Sequence, residues 1–267
     1  MEVGGDDVVT WHYGLIARWW ANFNVDGPEI EFFRPFVAAG QPALDVACGT
    51  GRLLLPWVAA GLDVDGVDAS ADMITACAEA AQRAGAAPNL YVQPVHRLDL
   101  TRRYGTIVIC GGFGLGGTRQ QDVDGLRRML AHLRPGGRLV LDYEVDDFDV
   151  NRWRVSPPAS SPPAPDQRRR APDGCDYALA HRVVEIDRPS RGMVRELDAW
   201  QWRDDQLVAH ETHRLVCNMW SRDEIVGALE DVGFAEIEVV GGYHGGTPRG
   251  DERFLVYVAR RREGTAG

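Results

Sequence analysis

The sequence contains no lysine; all 29 of its basic residues are arginine. A Schiff-base lysine, a pyridoxal phosphate anchor and the phosphate-binding lysine of a Walker motif are therefore excluded. Positive charge is in short supply overall, because 39 acidic residues outweigh the arginines and leave a formal charge of −10. Nucleic acid and anionic membrane surfaces, which need a dense cationic face, are disfavoured as partners. Cysteine is sparse: Cys48, Cys77, Cys110, Cys175 and Cys217 are scattered, odd in number and free of any Cys-x-x-Cys. Reduced thiols are expected, not a disulfide framework. No apolar run approaches the roughly 20 residues that span a bilayer, and the first residues lack the basic and apolar halves of a signal peptide. A cytoplasmic protein is expected.

What is present is an ordinary globular composition, with 45% hydrophobic and 25% charged residues over 267 positions. That length accommodates a domain of roughly 150–200 residues with a smaller cap. From Ala43 to Asp142 short apolar runs alternate with helical ones. Residues 44–47, 63–67, 90–93, 106–110 and 138–142 read as strands, and residues 52–61, 70–85 and 122–133 as helices. Arg134-Pro-Gly-Gly137 reads as a turn. This winding predicts an α/β fold of the doubly wound, Rossmann-like kind, with a mostly parallel sheet of about seven strands and a binding crevice at the strands' carboxyl ends.

Residues 155–174 hold six prolines and a triple arginine and read as a mobile surface loop. Residues 177–187, 193–203 and 206–220 follow as consecutive long strands, which predicts an inserted antiparallel β cap. Ser221 and Glu224 form a capping box for a late helix, and residues 235–241 and 253–260 return to the main sheet. The expected organisation is a core with N-terminal helices over 1–150, loop and cap over 151–220, and a closing helix and strands over 221–267.

Asp45-Val-Ala-Cys-Gly-Thr-Gly51 ends the first strand of the core in a glycine-rich turn, which lets backbone approach a ligand and aims a helix start at it. A dinucleotide fingerprint would need glycine at position 54, where Leu54 stands. Asp68 follows 23 residues after Asp45, at the end of the next strand, a spacing that suits a ribose diol.

These residues resemble class I S-adenosylmethionine-dependent methyltransferases. Asp45–Gly51 is similar to that family's first motif, Asp68-Ala-Ser-Ala-Asp-Met73 to its second, and Leu133–Asp142 to its late motif. His12–Trp20 and the inserted cap are similar to those of glycine and amino-sugar N-methyltransferases and of relatives in antibiotic biosynthesis. The resemblance implies S-adenosyl-L-methionine as cofactor. Backbone at Ala47, Gly49 and Gly51, beside Asp45, would hold its methionine end, and Asp68 its ribose. Ala69 and Met73 would sandwich adenine, Met73 serving equally well as core. The loop Gln93-Pro94-Val95-His96 lacks the acid the family often places near the adenine amino group, so backbone at Val95 and His96 is expected to serve. Cys110 and Tyr13 complete the expected cofactor contacts.

The resemblance implies methyl transfer to a small molecule, with an amine as first expectation. A small-molecule O-methyltransferase, or a cofactor-binding protein or cyclase without methyl transfer, stands as the alternative. Where metal-dependent relatives carry an aspartate, this chain has Cys110-Gly111, so no metal site is expected. Tyr13, Phe113 and His181 are the expected catalytic residues; Tyr13 and Phe113 line the transfer pocket or simply pack. His210, His213 and His244 are further candidate bases. Asp142, Glu144 and Asp146 form either an acidic rim that attracts a cationic amine or a solvated edge. A homo-oligomer is left open.

Overall fold

The computed structural model describes residues 10–144, 153–157 and 162–263. Helices α1 (Gly14–Phe23) and α2 (Glu29–Ala39) precede an alternating series. It runs β1 (Ala43–Val46), α3 (Leu54–Ala59), β2 (Val64–Asp68), α4 (Ala71–Arg83), β3 (Leu90–Val92), β4 (Tyr104–Ile109), α5 (Arg119–His132) and β5 (Leu133–Glu144). The later elements are β6 (Arg169–Arg170), β7 (Asp176–Asp187), β8 (Gly192–Arg203), β9 (Gln206–Asn218), α6 (Arg222–Val232), β10 (Phe234–Gly241) and β11 (Phe254–Arg261).

One sheet has seven strands in the order β10-β11-β5-β4-β1-β2-β3. Its strands are parallel except β11, which runs antiparallel to both β5 and β10. All four residues of β1 are buried, as befits a central strand covered on both faces. Apolar packing against α2 and α3 on one face and against α5 and α6 on the other makes the core. The Rossmann-like fold with an antiparallel insertion is thus the one the sequence predicts.

Local chemistry explains most boundaries. Ser70 accepts from the Met73 amide at 3.2 Å and starts α4. The capping box of Ser221 and Glu224 opens α6, which Gly233 closes at φ +110°. Two boundaries differ from expectation. Arg134–Gly137 lies within β5, where Tyr104 pairs with Leu133 and the register shifts before Thr106 meets Arg138. A turn-like sequence therefore makes a bulge, with Gly136 at φ +72°. The second difference is that α5 begins earlier than residue 122, because Thr118 and Gln121 form a capping box.

Strands β6-β7-β8-β9 form the separate antiparallel sheet. One face packs Tyr177, Leu197, Ala199 and Leu215 against Trp11, Leu15 and Ile16. The sheet is tied to the core where Leu115 bridges Cys217 and the Tyr143 hydroxyl donates to the Asn218 carbonyl at 3.0 Å. The arginine-rich stretch expected to be a mobile surface loop is mostly exposed over its described part, and it also makes specific contacts with its neighbours. Arg168 stacks on Trp202, Arg169 lies over Phe23, and Ala171 is buried. Among the described residues no helix is long and apolar enough to cross a membrane.

Candidate functional site

Strands β1, β2 and β4 deliver their carboxyl ends to one cavity of about 350 Å³. The loop after β1 forms its floor. Ala47 and Gly49 both sit in the left-handed region, at φ +57° and +54°. Ala47 holds that conformation at the cost a side chain pays there, which is why glycine suits the position. A side chain at Gly49 or at Gly111 would meet no protein atom within 4 Å, so a ligand can approach backbone at both places.

Asp45 is buried in the cavity wall, and among the described residues its Oδ2 has no hydrogen-bond partner. Burial pushes its carboxyl well above the ordinary range, the nearby charge of Asp68 adds to that, and the Leu54 amide opposes it. A buried carboxylate oxygen without a donor matches a cationic ligand group. Asp68 lies 2.9 Å from the Gly49 amide and 2.8 Å from the Ser70 amide, which fix its carboxylate at the cavity edge. Burial raises its carboxyl, and these amides pull it back.

Of the residues expected to meet a cofactor, Asp45, Ala47, Gly49, Asp68, Ala69, Met73, Val95, His96 and Cys110 all line this cavity. Gly51 and Tyr13 do not. A Cβ on Gly51 would stand 2.7 Å from the Cys77 Sγ, so this glycine lets α4 pack against the loop. Tyr13 is 48% exposed, with its ring edge-on to His213 at 4.0 Å.

The three expected catalytic residues are all displaced from the cavity. Phe113 is buried against Tyr143 and Trp220, packing in the core. His181 is exposed on β7, a strand that carries it away from the crevice. Tyr13 precedes the first turn of α1 and is not among the residues that line the cavity. His210 stacks on Trp200 on the outer face of the cap sheet, while His213 is buried on the inner face with Nε2 3.0 Å from Glu211. His244 is exposed at a separate hollow beside β11.

The acidic rim is also corrected. Asp142 is buried, accepting from the Cys110 thiol at 3.0 Å, the Gly111 amide at 2.5 Å and the Tyr243 hydroxyl. Glu144 pairs with Arg253 at 2.9 Å, and Asp146 lies outside the described residues. Asp142 and Glu144 share one strand face, but Asp142 lies where Cys110, Gly111 and Tyr243 cover it, whereas Glu144 ends the strand in partial contact with solvent.

The N-terminal segment closes the cavity through residues other than the Tyr13 to which the sequence pointed. Trp11, His12, Trp20 and Asn24 line it. The His12 carbonyl accepts from the Ser70 hydroxyl, while the first amides of α1 are capped from afar. Gly14 donates to Asp72 and Leu15 to Glu211, each at 2.8 Å. Tyr13 offers no cap of its own, so helix α1 docks where core and cap sheet each supply a carboxylate. His12 receives the Trp11 indole at 3.0 Å on Nε2, and burial holds its ring down at about 4.

Residues 43–137 match a family model described as Methyltransferase domain. No curated protein matches the chain in sequence. Among solved structures, an S-adenosylmethionine-dependent methyltransferase from Clostridium acetobutylicum ATCC 824 aligns at 14% identity and a TM-score of 0.69. The alignment covers 92% of this chain and 97% of that one. The sugar N-methyltransferase KedS8 from Streptoalloteichus sp ATCC 53650 aligns at 22% identity and 0.67, covering 98% and 97%. CalS10, a SAM-bound amino pentose methyltransferase from Micromonospora echinaspora, aligns at 20% identity and 0.61, covering 94% and 98%. These likenesses establish the fold across both sheets.

Proposed function

Taking as premise that residues 43–137 match a methyltransferase domain, we propose that the chain uses S-adenosylmethionine to N-methylate a small-molecule amine of specialised metabolism. The observation that carries the reading is the single cavity whose wall holds both Asp68 and an Asp45 oxygen without a donor. Similarity to sugar and amino pentose methyltransferases supports the acceptor class.

The residues present fit the cofactor. The buried Asp45 carboxylate suits the methionine ammonium, Asp68 a ribose diol, and the open faces of Gly49 and Gly111 a close backbone approach. Ala69, Met73, Val95 and His96 offer an apolar slot for adenine. When bound, S-adenosylmethionine supplies a methyl group on a sulfonium, open to in-line displacement. The protein's share is alignment and exclusion of water.

Nitrogen is favoured over oxygen by the state of the ring nearest the closing segment. The His12 ring is held neutral and both its nitrogens are engaged, Nδ1 at 3.2 Å from Thr10 Oγ1 and Nε2 with Trp11. It is not poised to deprotonate a hydroxyl, whereas an amine that arrives neutral needs no base. Trp11 and Trp20 add aromatic surface to the cavity wall, against which an uncharged amine can pack. A cytoplasmic setting accompanies this reading, and the five free cysteines suit a reducing compartment.

The test is formation of S-adenosylhomocysteine with matched panels of amino sugars, alkylamines, phenols and sugar alcohols. Turnover confined to amines is expected. Turnover confined to hydroxyls would replace nitrogen by oxygen, and tight cofactor binding with no turnover on any panel would end the enzyme reading.

A further inference from the structure

At the end of the main sheet opposite the cavity, β5 and β11 set two arginines against each other. Arg138 pairs directly with Arg260 across the ladder, and side chains so paired share one face of the sheet. Their neighbours on that face, Val140 and Val258, pack with Phe33 and Val37 of α2. Like charges placed directly opposite destabilise a sheet, so this pair asks for a compensating charge.

The acids close by do not supply it. Arg260 Nε reaches Glu236 at 3.2 Å, in an ion pair open to solvent. Glu263 lies beside Gly136 in the bulge of β5 and, among the described residues, pairs with neither arginine. Arg138 has no acidic partner and no hydrogen bond among the described residues, and its Nε is buried and unsatisfied. Burial and the charge of Arg260 both hold its guanidinium below the ordinary range, which still leaves it charged. A third arginine stands at the start of the same strand, where Arg134 reaches only the Gln41 carbonyl, at 3.4 Å. The chain has 39 acidic residues to its 29 arginines. A partly buried guanidinium that faces another arginine instead of one of those carboxylates leaves a place for a negative charge from outside.

We propose that Arg138 and Arg260, with Arg134 at the rim, bind a tetrahedral oxyanion of the phosphate or sulfate class between β5 and β11. Neighbouring strands stand about 4.8 Å apart, a span that two guanidinium groups close on separate oxygens of one such ion, each offering parallel N–H donors. The bound ion ties β11, with β10 beyond it, to β5, where the closing strands join the core. The site stands apart from the methyl-transfer reading, because it lies at the far end of β5 from Asp142 and uses no residue of the cavity.

The test is thermal melting and calorimetry of the full chain with inorganic phosphate, at an ionic strength held constant with chloride, in the wild type and in Arg138→Gln. Phosphate is expected to bind the wild type with Kd on the order of 1 mM and to raise Tm by roughly 2–5 °C at about ten times that concentration. Arg138→Gln takes away a charge that has no internal partner, so this variant should fold, and it should weaken phosphate binding by about tenfold or more. Equal stabilisation of the wild type and Arg138→Gln overturns the proposal, as does the lack of any phosphate effect on the wild type. Either result leaves Arg138 to water. Saturating S-adenosylhomocysteine should leave the phosphate affinity unchanged; competition between the two would put the anion in the cavity and overturn the proposal as well.

Discussion

The Gly49 amide donates to Asp68 Oδ2 at 2.9 Å, so the glycine loop after β1 and the end of β2 hold one another. The carboxylate that faces the cavity is also the clasp of the loop beneath it. Substitution there acts twice, on ligand contact and on the shape of the floor.

Asp68→Ala should weaken S-adenosylhomocysteine binding by about ten- to a hundredfold, the loss of one or two hydrogen bonds to a charged group. Calorimetry measures it. An unchanged affinity would remove Asp68 from the site.

Gly51→Ala should destabilise the protein by about 1–3 kcal/mol through overpacking and the left-handed backbone. A Cβ there meets Cys77 Sγ at 2.7 Å and Gly51 has φ +91°. Denaturant unfolding reads the loss. Adding Cys77→Ala should recover part of it, because the collision with the thiol is then relieved while the one with Leu55, at 2.8 Å, and the backbone strain stay; two purely additive losses would refute the Cys77 contact.

Tyr243→Phe removes one of three donors from buried Asp142 and should cost about 1–3 kcal/mol of stability. Its effect on the acceptor KM should be small. A large KM change with stability intact would restore Asp142 to the acceptor-facing role that its strand position suggested.

The N-terminal closure should loosen in acid. Burial lowers the His12 ring from 6.5 to about 4 in the folded protein, so the unfolded or undocked segment binds the proton more readily. Its stabilising contribution is complete above about pH 6.5 and fades as pH falls toward 4. Amide exchange over residues 11–15, corrected for intrinsic rates, should show protection lost across that window. Equal protection at pH 7 and pH 4.5 would contradict the docking.

Removing residues 162–172 should lower Tm by roughly 2–6 °C, on the order of two cation–π contacts and their apolar support. Arg168 stands 4.1 Å from the Trp202 ring centre and Arg169 4.3 Å from that of Phe23. Calorimetric melting decides, and an unmoved Tm would return the segment to the status of a loose loop.

Much of the cavity wall could be read from the chain because its signals are local. The residues from Asp45 to Gly51 and the end of β2 at Asp68 are neighbours through parallel pairing of adjacent strands, which spacing and apolar runs predict. The acceptor side was not legible in this way. Phe113 and His181 have the right chemistry for a methyl-transfer pocket, yet one packs on Trp220 and the other faces solvent on β7. Asp122 looked like one polar residue of an amphipathic helix until Trp220 and Asn218, nearly a hundred positions later, closed around it.

The sequence by itself determined the winding of the core, the glycine turn, the inserted strands and the exclusion of lysine chemistry, since each follows from residue type, periodicity or spacing within a few tens of positions. Only the tertiary structure decided which carboxylates face the cavity. Among the described residues no group donates to Asp45 Oδ2 or to Asp122 Oδ1, Asp142 is consumed by Tyr243 and Cys110, and Asp72 and Glu211 are spent on capping α1. A carboxylate's role is set by the donors that reach it, and those come from elements far apart in the chain.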